Sequence, residues 1–263
     1  MKTKIGIKKN PFGIHPKGIV FQFVINAVKD RSNFSLLDFG CRNGDFLYEV
    51  DKTGSFELTY GVDLDKTAIE AAQQRETKAL FEHIKKNHKF DSAYENRFDI
   101  ITVIGVIEHI YDQDSVLVEL SRLLKPNGLM IVAVPGKHIF SFLDMGNWKF
   151  KYPKIHKFFV RLSLSESEYQ SRYVSNEFGC IGDIEAEKAY HEHFSKDSFR
   201  TLLGRTKKFE LIDMDGCGFF YRILVNIQFF LPKIFKRVLV PFIEWDFKWG
   251  NKAELVFILR KYK

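Results

Sequence analysis

Residues 36–47, LLDFGCRNGDFL, restrict the fold of this chain more than any other stretch. An apolar run of strand length reaches an acid, Asp38, passes Gly40 and Gly44, and re-enters apolar sequence with no proline between. A strand that ends in a tight loop and opens a helix satisfies that order of residues. In an open α/β sheet such a junction lies where ligands bind, at the carboxyl ends of the strands.

The rest of the chain supplies the alternation that such a sheet requires. Lys17 to Asp30 places Val20, Val24, Ala27 and Val28 on one helical face, ahead of a buried strand at Phe34 to Phe39. A second strand, Phe56 to Val62, ends at Asp63, and Asp65 is placed to cap a helix running through Gln74. A short strand at Ala79 to Ile84 precedes Phe98 to Ile104, which is apolar apart from Asp99 and Thr102, as a central parallel strand is. Asp112 to Leu124 carries Val116, Leu120 and Leu123 at helical spacing, and KPNG at 125–128 turns the chain into a strand at Leu129 to Val134. The alternation breaks over 136–194, resumes with a helix at Ser195 to Thr206 and a strand at Phe209 to Met214, breaks again over 217–252, and closes with a strand at Glu254 to Leu259. This pattern predicts one α/β domain over 1–263: a doubly wound, Rossmann-like, mostly parallel seven-stranded sheet with helices on both faces. Its core comprises 17–135, 195–216 and 253–261, and the stretches 136–194 and 217–252 are insertions that cap the substrate side.

Cys41, Cys180 and Cys217 are odd in number and widely spaced, which excludes a disulfide framework and a CxxC zinc knuckle and points to a reducing cytoplasm. The opening MKTKIGIKKN is basic with no apolar stretch directly after it, so a cleaved leader is not expected. The most membrane-like segment, 218–240, is interrupted by Arg222, Lys233, Lys236 and Arg237, too many charges for a span. The net charge of +7 suits an anionic ligand or surface.

Four features occur in a fixed order: DFGCRNG at 38–44, Asp63 at the end of the next strand, FDIITVIGVIEHI at 98–110, and RLLKPNGLMIVAVP at 122–135. In that order the chain resembles class I S-adenosylmethionine-dependent methyltransferases, in particular the type 11 and type 23 group with an Glu-His pair after the fourth strand. The resemblance covers roughly 30–135 and implies S-adenosylmethionine as cofactor. It assigns Gly40 and Gly44 to the close approach of backbone to the cofactor's amino acid end, where the following helix presents free N–H groups. It also places Asp63 on the ribose hydroxyls, Leu64 on adenine, Ile104 at the cofactor, and Asp38 near the ammonium, directly or through water. Arg42 departs from the family's GxGxG loop, and its side chain is tolerable there if φ stays negative and the guanidinium turns outward.

The segment VIGVIEHI lacks the Asn or Asp, paired prolines and aromatic that similar nucleobase amine methyltransferases carry, which argues against nucleic acid as acceptor. A hydroxyl acceptor calls for a base of near-neutral pKa, and the candidates are His109, His191 and His193. The HxH pair shows no third ligand at a recognisable spacing, so no metal is expected. FKYPKIHKFFVR at 150–161 and LPKIFKRVLV at 231–240 interleave apolar and basic residues, as a surface resting on an anionic membrane does. The expectation is a cytoplasmic enzyme, peripheral at the inner membrane face, that methylates oxygen of a small-molecule, glycan or lipid-linked acceptor. A nicotinamide-dependent oxidoreductase would need a GxGxxG loop that is not here. A cofactor-binding module without chemistry stays open through Arg42.

Overall fold

The computed structural model describes residues 10–13, 15–29, 32–162, 164–175, 180–230, 233–247 and 253–262. Strands β1 (Phe34–Phe39), β2 (Phe56–Asp63), β3 (Leu80–His83), β4 (Phe98–Ile104), β5 (Leu124–Pro135), β6 (Phe209–Gly216) and β7 (Glu254–Lys261) form one sheet in the order β3-β2-β1-β4-β5-β7-β6. Strands β1 to β5 are parallel, whereas β7 runs antiparallel to both β5 and β6.

The continuous apolar runs follow from covering both faces. Successive strand residues point to opposite sides, so Leu36, Ile131, Val256 and Ile258 join one core while Leu37, Met130, Val132, Phe257 and Leu259 join the other. Helices α1 (Pro16–Ala27), α2 (Asp45–Asp51) and α3 (Lys66–Gln73) cover the first face through Ile19, Val20, Val24, Phe46, Leu47 and Ile69. Helices α4 (Gln113–Leu123) and α8 (Lys196–Thr206) cover the second through Leu117, Leu120, Leu123, Phe199 and Leu202. Each such fully buried side chain contributes about 1.5 to 3 kcal/mol of transfer free energy.

Helix starts are fixed by side chains that accept from otherwise unpaired amides. Asp65 accepts from Ala68 N at 3.0 Å, Asp112 from Ser115 N at 3.1 Å, and Ser195 from Ser198 N at 3.1 Å. One boundary differs from expectation: β5 begins at Leu124, paired with Phe98, and takes the KPNG stretch in as a register shift with Asn127 at φ 61°. Helix α1 also stops at Ala27, short of the expected Asp30, a residue outside those described.

The segment 136–194 contains α5 (Met145–Lys151), α6 (Pro153–Val160), α7 (Glu166–Tyr173) and a small hairpin pairing Cys180–Ile181 with Ile184–Glu185. Helices α9 (Tyr221–Phe230) and α10 (Lys233–Asp246) occupy the second insertion. Of the basic stretch expected at 231–240, Leu231 and Pro232 lie outside the described residues, as do 248–252. From the central pair the chain moves outward one way through β1, β2 and β3 and the other way through β4 and β5. The carboxyl ends of β1 and β4 therefore flank the crevice where such sheets bind ligands.

Candidate active site

The loop after β1 turns on its two glycines. Gly40 has φ +85°, and a Cβ there would lie 2.2 Å from Val106 Cγ2; Gly44 has φ +71°, and a Cβ would meet the Phe81 ring at 2.6 Å. Both positions are thus fixed by backbone shape and by packing beneath the loop. Arg42 corrects the expectation of a negative φ, because it sits at φ 49°. A left-handed non-glycine residue costs about 1 to 2 kcal/mol, and here its own N–H donates to Asp63 Oδ2 at 2.7 Å. The guanidinium does turn outward, reaching to 3.7 Å from Asp183 Oδ1.

Asp63 closes β2, and its other oxygen accepts from Asp65 N at 2.8 Å. Each oxygen has one such donor, which leaves acceptor capacity for a ribose diol. Gly40, Asp63, Leu64, Ile104 and His109 line a cavity of about 720 Å³ at the carboxyl edge of the sheet, a size within the range of cofactor sites. Leu64 is 39% exposed there and offers an apolar surface to a flat base. The chain thus fits the adenosyl end of the cofactor.

Asp38 and Gly44 are not among the residues that line this cavity. Asp38 is 3% exposed and stands directly across from Thr102 in the β1–β4 register, accepting from Thr102 Oγ1 at 2.7 Å. Burial pushes its carboxyl up to about 7, against the opposing effects of the Thr102 hydroxyl and Lys17. Thr102, one of two polar interruptions of the fourth strand, was the visible sign of this partner. At the start of α2, Asp45 is ion-paired with Lys17 Nζ at 2.7 Å.

The three candidate bases converge from two segments. His109 ends a single 3₁₀ turn, Ile107–His109, after β4, and its ring stacks on His191 with centroids 4.7 Å apart. His191 and His193 belong to an extended stretch that joins the sheet where Gly136 and Phe194 form a bridge, with Phe194 N donating to Pro135 O at 2.8 Å. Of the three, His109 lines the cavity and the HxH pair does not. Asp144 Oδ2 lies 2.5 Å from His191 Nδ1 and 2.8 Å from His193 Nε2, and Glu108 Oε1 lies 3.7 Å from His191 Nε2. Burial opposes charge on His191, but Asp144 and Glu108 outweigh it and push the imidazole up to about 9. Burial also pushes Asp144 upward, yet His191 and His193 hold it well below the usual carboxylate range. His109 is lowered by burial and by the neighbouring His191, partly offset by Glu108.

Sequence reasoning missed Asp144 altogether: it stands beside the HxH pair but 47 residues from His191, at no spacing that a sequence reading recognises. No local pattern marks it, since it caps α5 within an irregular insertion. Also missed were Arg172 and Asp183 at the mouth of the cavity, paired at 3.0 Å, and Arg222 behind the histidines, 2.8 Å from Glu254 and 3.6 Å from Asp144.

A family described as "Methyltransferase domain" matches residues 30–199. Curated relatives include a ubiquinone biosynthesis O-methyltransferase of Pelagibacter ubique, 30% identical over 51% of this chain and 57% of its own length. A demethylmenaquinone methyltransferase of Staphylococcus aureus is 27% identical over 62% of this chain and 68% of its own. The chain spans about half the length of most of the curated relatives it matches. Among solved structures, an S-adenosylmethionine-dependent methyltransferase from Mesorhizobium loti covers 93% of this chain and 97% of its own at TM-score 0.54 and 13% identity. The [4+2]-cyclase SpnF covers 93% and 80% at TM-score 0.54 and 14% identity, so the fold alone does not fix the chemistry. The loop, the β2 carboxylate, the β1–β4 crevice and the matched family together place the chain in the class I S-adenosylmethionine-dependent methyltransferase family, with S-adenosylmethionine as its cofactor.

Proposed function

We propose that this chain transfers a methyl group from S-adenosylmethionine to a hydroxyl oxygen of a small or lipid-linked acceptor, with His109 as the base. The observation that carries the reading is the position of His109: it faces the cofactor cavity, one 3₁₀ turn beyond Ile104. S-adenosylmethionine supplies an activated methyl group for in-line displacement, so the residues of the chain have to align the acceptor, exclude water and take one proton. Asp63 and Leu64 hold the adenosyl end, Asp38 with Thr102 stands behind the loop at the amino acid end, and His109 Nε2 accepts the hydroxyl proton. Glu108, buried beside it with Oε1 at 3.9 Å from His109 Nε2, favours the imidazolium that results.

Two observations support a lipid-linked phenolic acceptor. Relatives include a ubiquinone biosynthesis O-methyltransferase and a demethylmenaquinone methyltransferase. In addition, Tyr152, Ile155, Phe158 and Leu162, spaced to share one side of α6 and its continuation, are all exposed, with Phe158 at 65% and Leu162 at 70%. Lys151 and Lys154 are exposed on the same stretch, the mixture that interfacial helices use.

The test is a transfer assay with methyl-labelled S-adenosylmethionine and, in detergent, a polyprenylated catechol, a soluble catechol and a lipid-linked sugar. Labelled methyl ether is expected from the prenylated catechol, and from His109→Ala about 10² to 10⁴ less of it at unchanged cofactor affinity. Cofactor binding with no labelled product from any acceptor would favour the non-catalytic module, the reading that Arg42 supports.

A further inference from the structure

We infer that Asp144, His191 and His193 form a site for one zinc-type divalent transition-metal ion. The inference is independent of the acceptor and of methyl transfer. One carboxylate oxygen, Asp144 Oδ2, faces two imidazole nitrogens, His191 Nδ1 at 2.5 Å and His193 Nε2 at 2.8 Å. The three donor atoms lie within 4.8 Å of one another. His193 Nε2 is buried and, despite that short distance, is not directed along a hydrogen bond to any partner, and His191 Nε2 is likewise unsatisfied. A buried polar nitrogen left in that state is destabilising. An ion bonded to all three donors engages His193 Nε2 together with the carboxylate. At metal–ligand distances of about 2.0 to 2.2 Å the donors would stand roughly 3 to 3.5 Å apart. The two contacts to Asp144, at 2.5 and 2.8 Å, reach that spacing by opening less than about 1 Å.

The donors are held by groups of a kind that surrounds metal ligands. Asp144 Oδ1 accepts from Gly146 N at 3.1 Å. The Asn147 side chain clamps the His191 backbone from both sides, accepting from His191 N at 3.0 Å and donating to His191 O at 2.8 Å. His193 is fixed through Phe194, whose backbone is bonded to Pro135 O and Lys137 N. Two imidazoles and one carboxylate select zinc, cobalt or iron(II) over magnesium and calcium, which prefer all-oxygen sets. A second cluster, Glu108, His109 and His191, uses the other nitrogen of His191 and is the alternative location.

The experiment takes the full chain, stripped with chelator and dialysed, and titrates it with Co(II) and Zn(II) by calorimetry and visible absorption. One ion per chain is expected, with visible Co(II) bands. His193→Gln and Asp144→Asn are each expected to weaken uptake at least 100-fold, and His109→Ala to leave affinity and spectrum unchanged. Thermal stabilisation by S-adenosylhomocysteine establishes that each variant is folded. No stoichiometric uptake by the folded wild type overturns the site. So does wild-type uptake by folded His193→Gln and Asp144→Asn, or loss of the ion in His109→Ala.

Discussion

Two aspartates illustrate how the same residue type is tuned to different tasks by its place in the sheet. Asp63 stands in the cavity with each oxygen accepting one backbone N–H. Asp63→Ala should therefore weaken S-adenosylhomocysteine binding by about 1.5 to 3 kcal/mol through lost charge-assisted hydrogen bonds, measured by calorimetry; unchanged affinity removes Asp63 from the site. Asp38 is instead buried with its carboxyl raised to about 7, and the groups that bear on it are the Thr102 hydroxyl, Lys17, Asp45 and Asp63. Because the folded pKa is raised, ionising Asp38 costs folding stability progressively as pH climbs from the ordinary carboxylate range to about 7. The cofactor ammonium that the proposed function places near Asp38 would recover that cost. Affinity for S-adenosylhomocysteine should accordingly rise as pH climbs to about 7 and then level off, and Asp38→Asn should flatten the profile; an equal slope in the variant refutes the contact. Asp63 and Gly40, which the structure brings to one cavity, were legible because their spacing is set by one βαβ unit. The partnership of Asp144 with His191 spans 47 residues and was not.

At the scale of elements, legibility tracked how completely an element is buried. Strands β1, β4 and β7 carry unbroken buried runs, and their apolar sequence located them to within a few residues. Strand β3 has four residues with no buried position, so only its pairing with β2 defines it. Helices α5, α6 and α7 escaped because they are short and little of their apolar surface faces the core; the apolar side of α6 is exposed instead. Helix α4 is the opposite case, with Leu117, Leu120 and Leu123 fully buried against the sheet. Leu120→Ala should cost about 2 to 5 kcal/mol of stability in urea unfolding; a loss below about 1 kcal/mol would mean that this helix face is not packed as described.

On the molecule as a whole, the exposed apolar side of α6 makes the proposed contact with a membrane surface testable. No helix among the described residues is long and apolar enough to cross a membrane. Wild-type protein should sediment with anionic vesicles at low salt, and Ile155→Glu combined with Phe158→Glu should remain in the supernatant while still binding S-adenosylhomocysteine; wild-type protein that never sediments rules out the surface. The antiparallel end of the sheet has a different consequence. Among the described residues β6 pairs only with β7, and β7 fills the gap between β6 and β5. A ribosome delivers β6 before its partner, separated from it by the whole of α9 and α10. Until β7 emerges, β5 keeps an open edge, the kind of surface on which nascent chains pair wrongly. The same late strand brings Glu254 to Arg222 behind the histidines. A growing chain thus completes its parallel half early, whereas the Arg222–Glu254 pair forms only once the strand between β5 and β6 is in place.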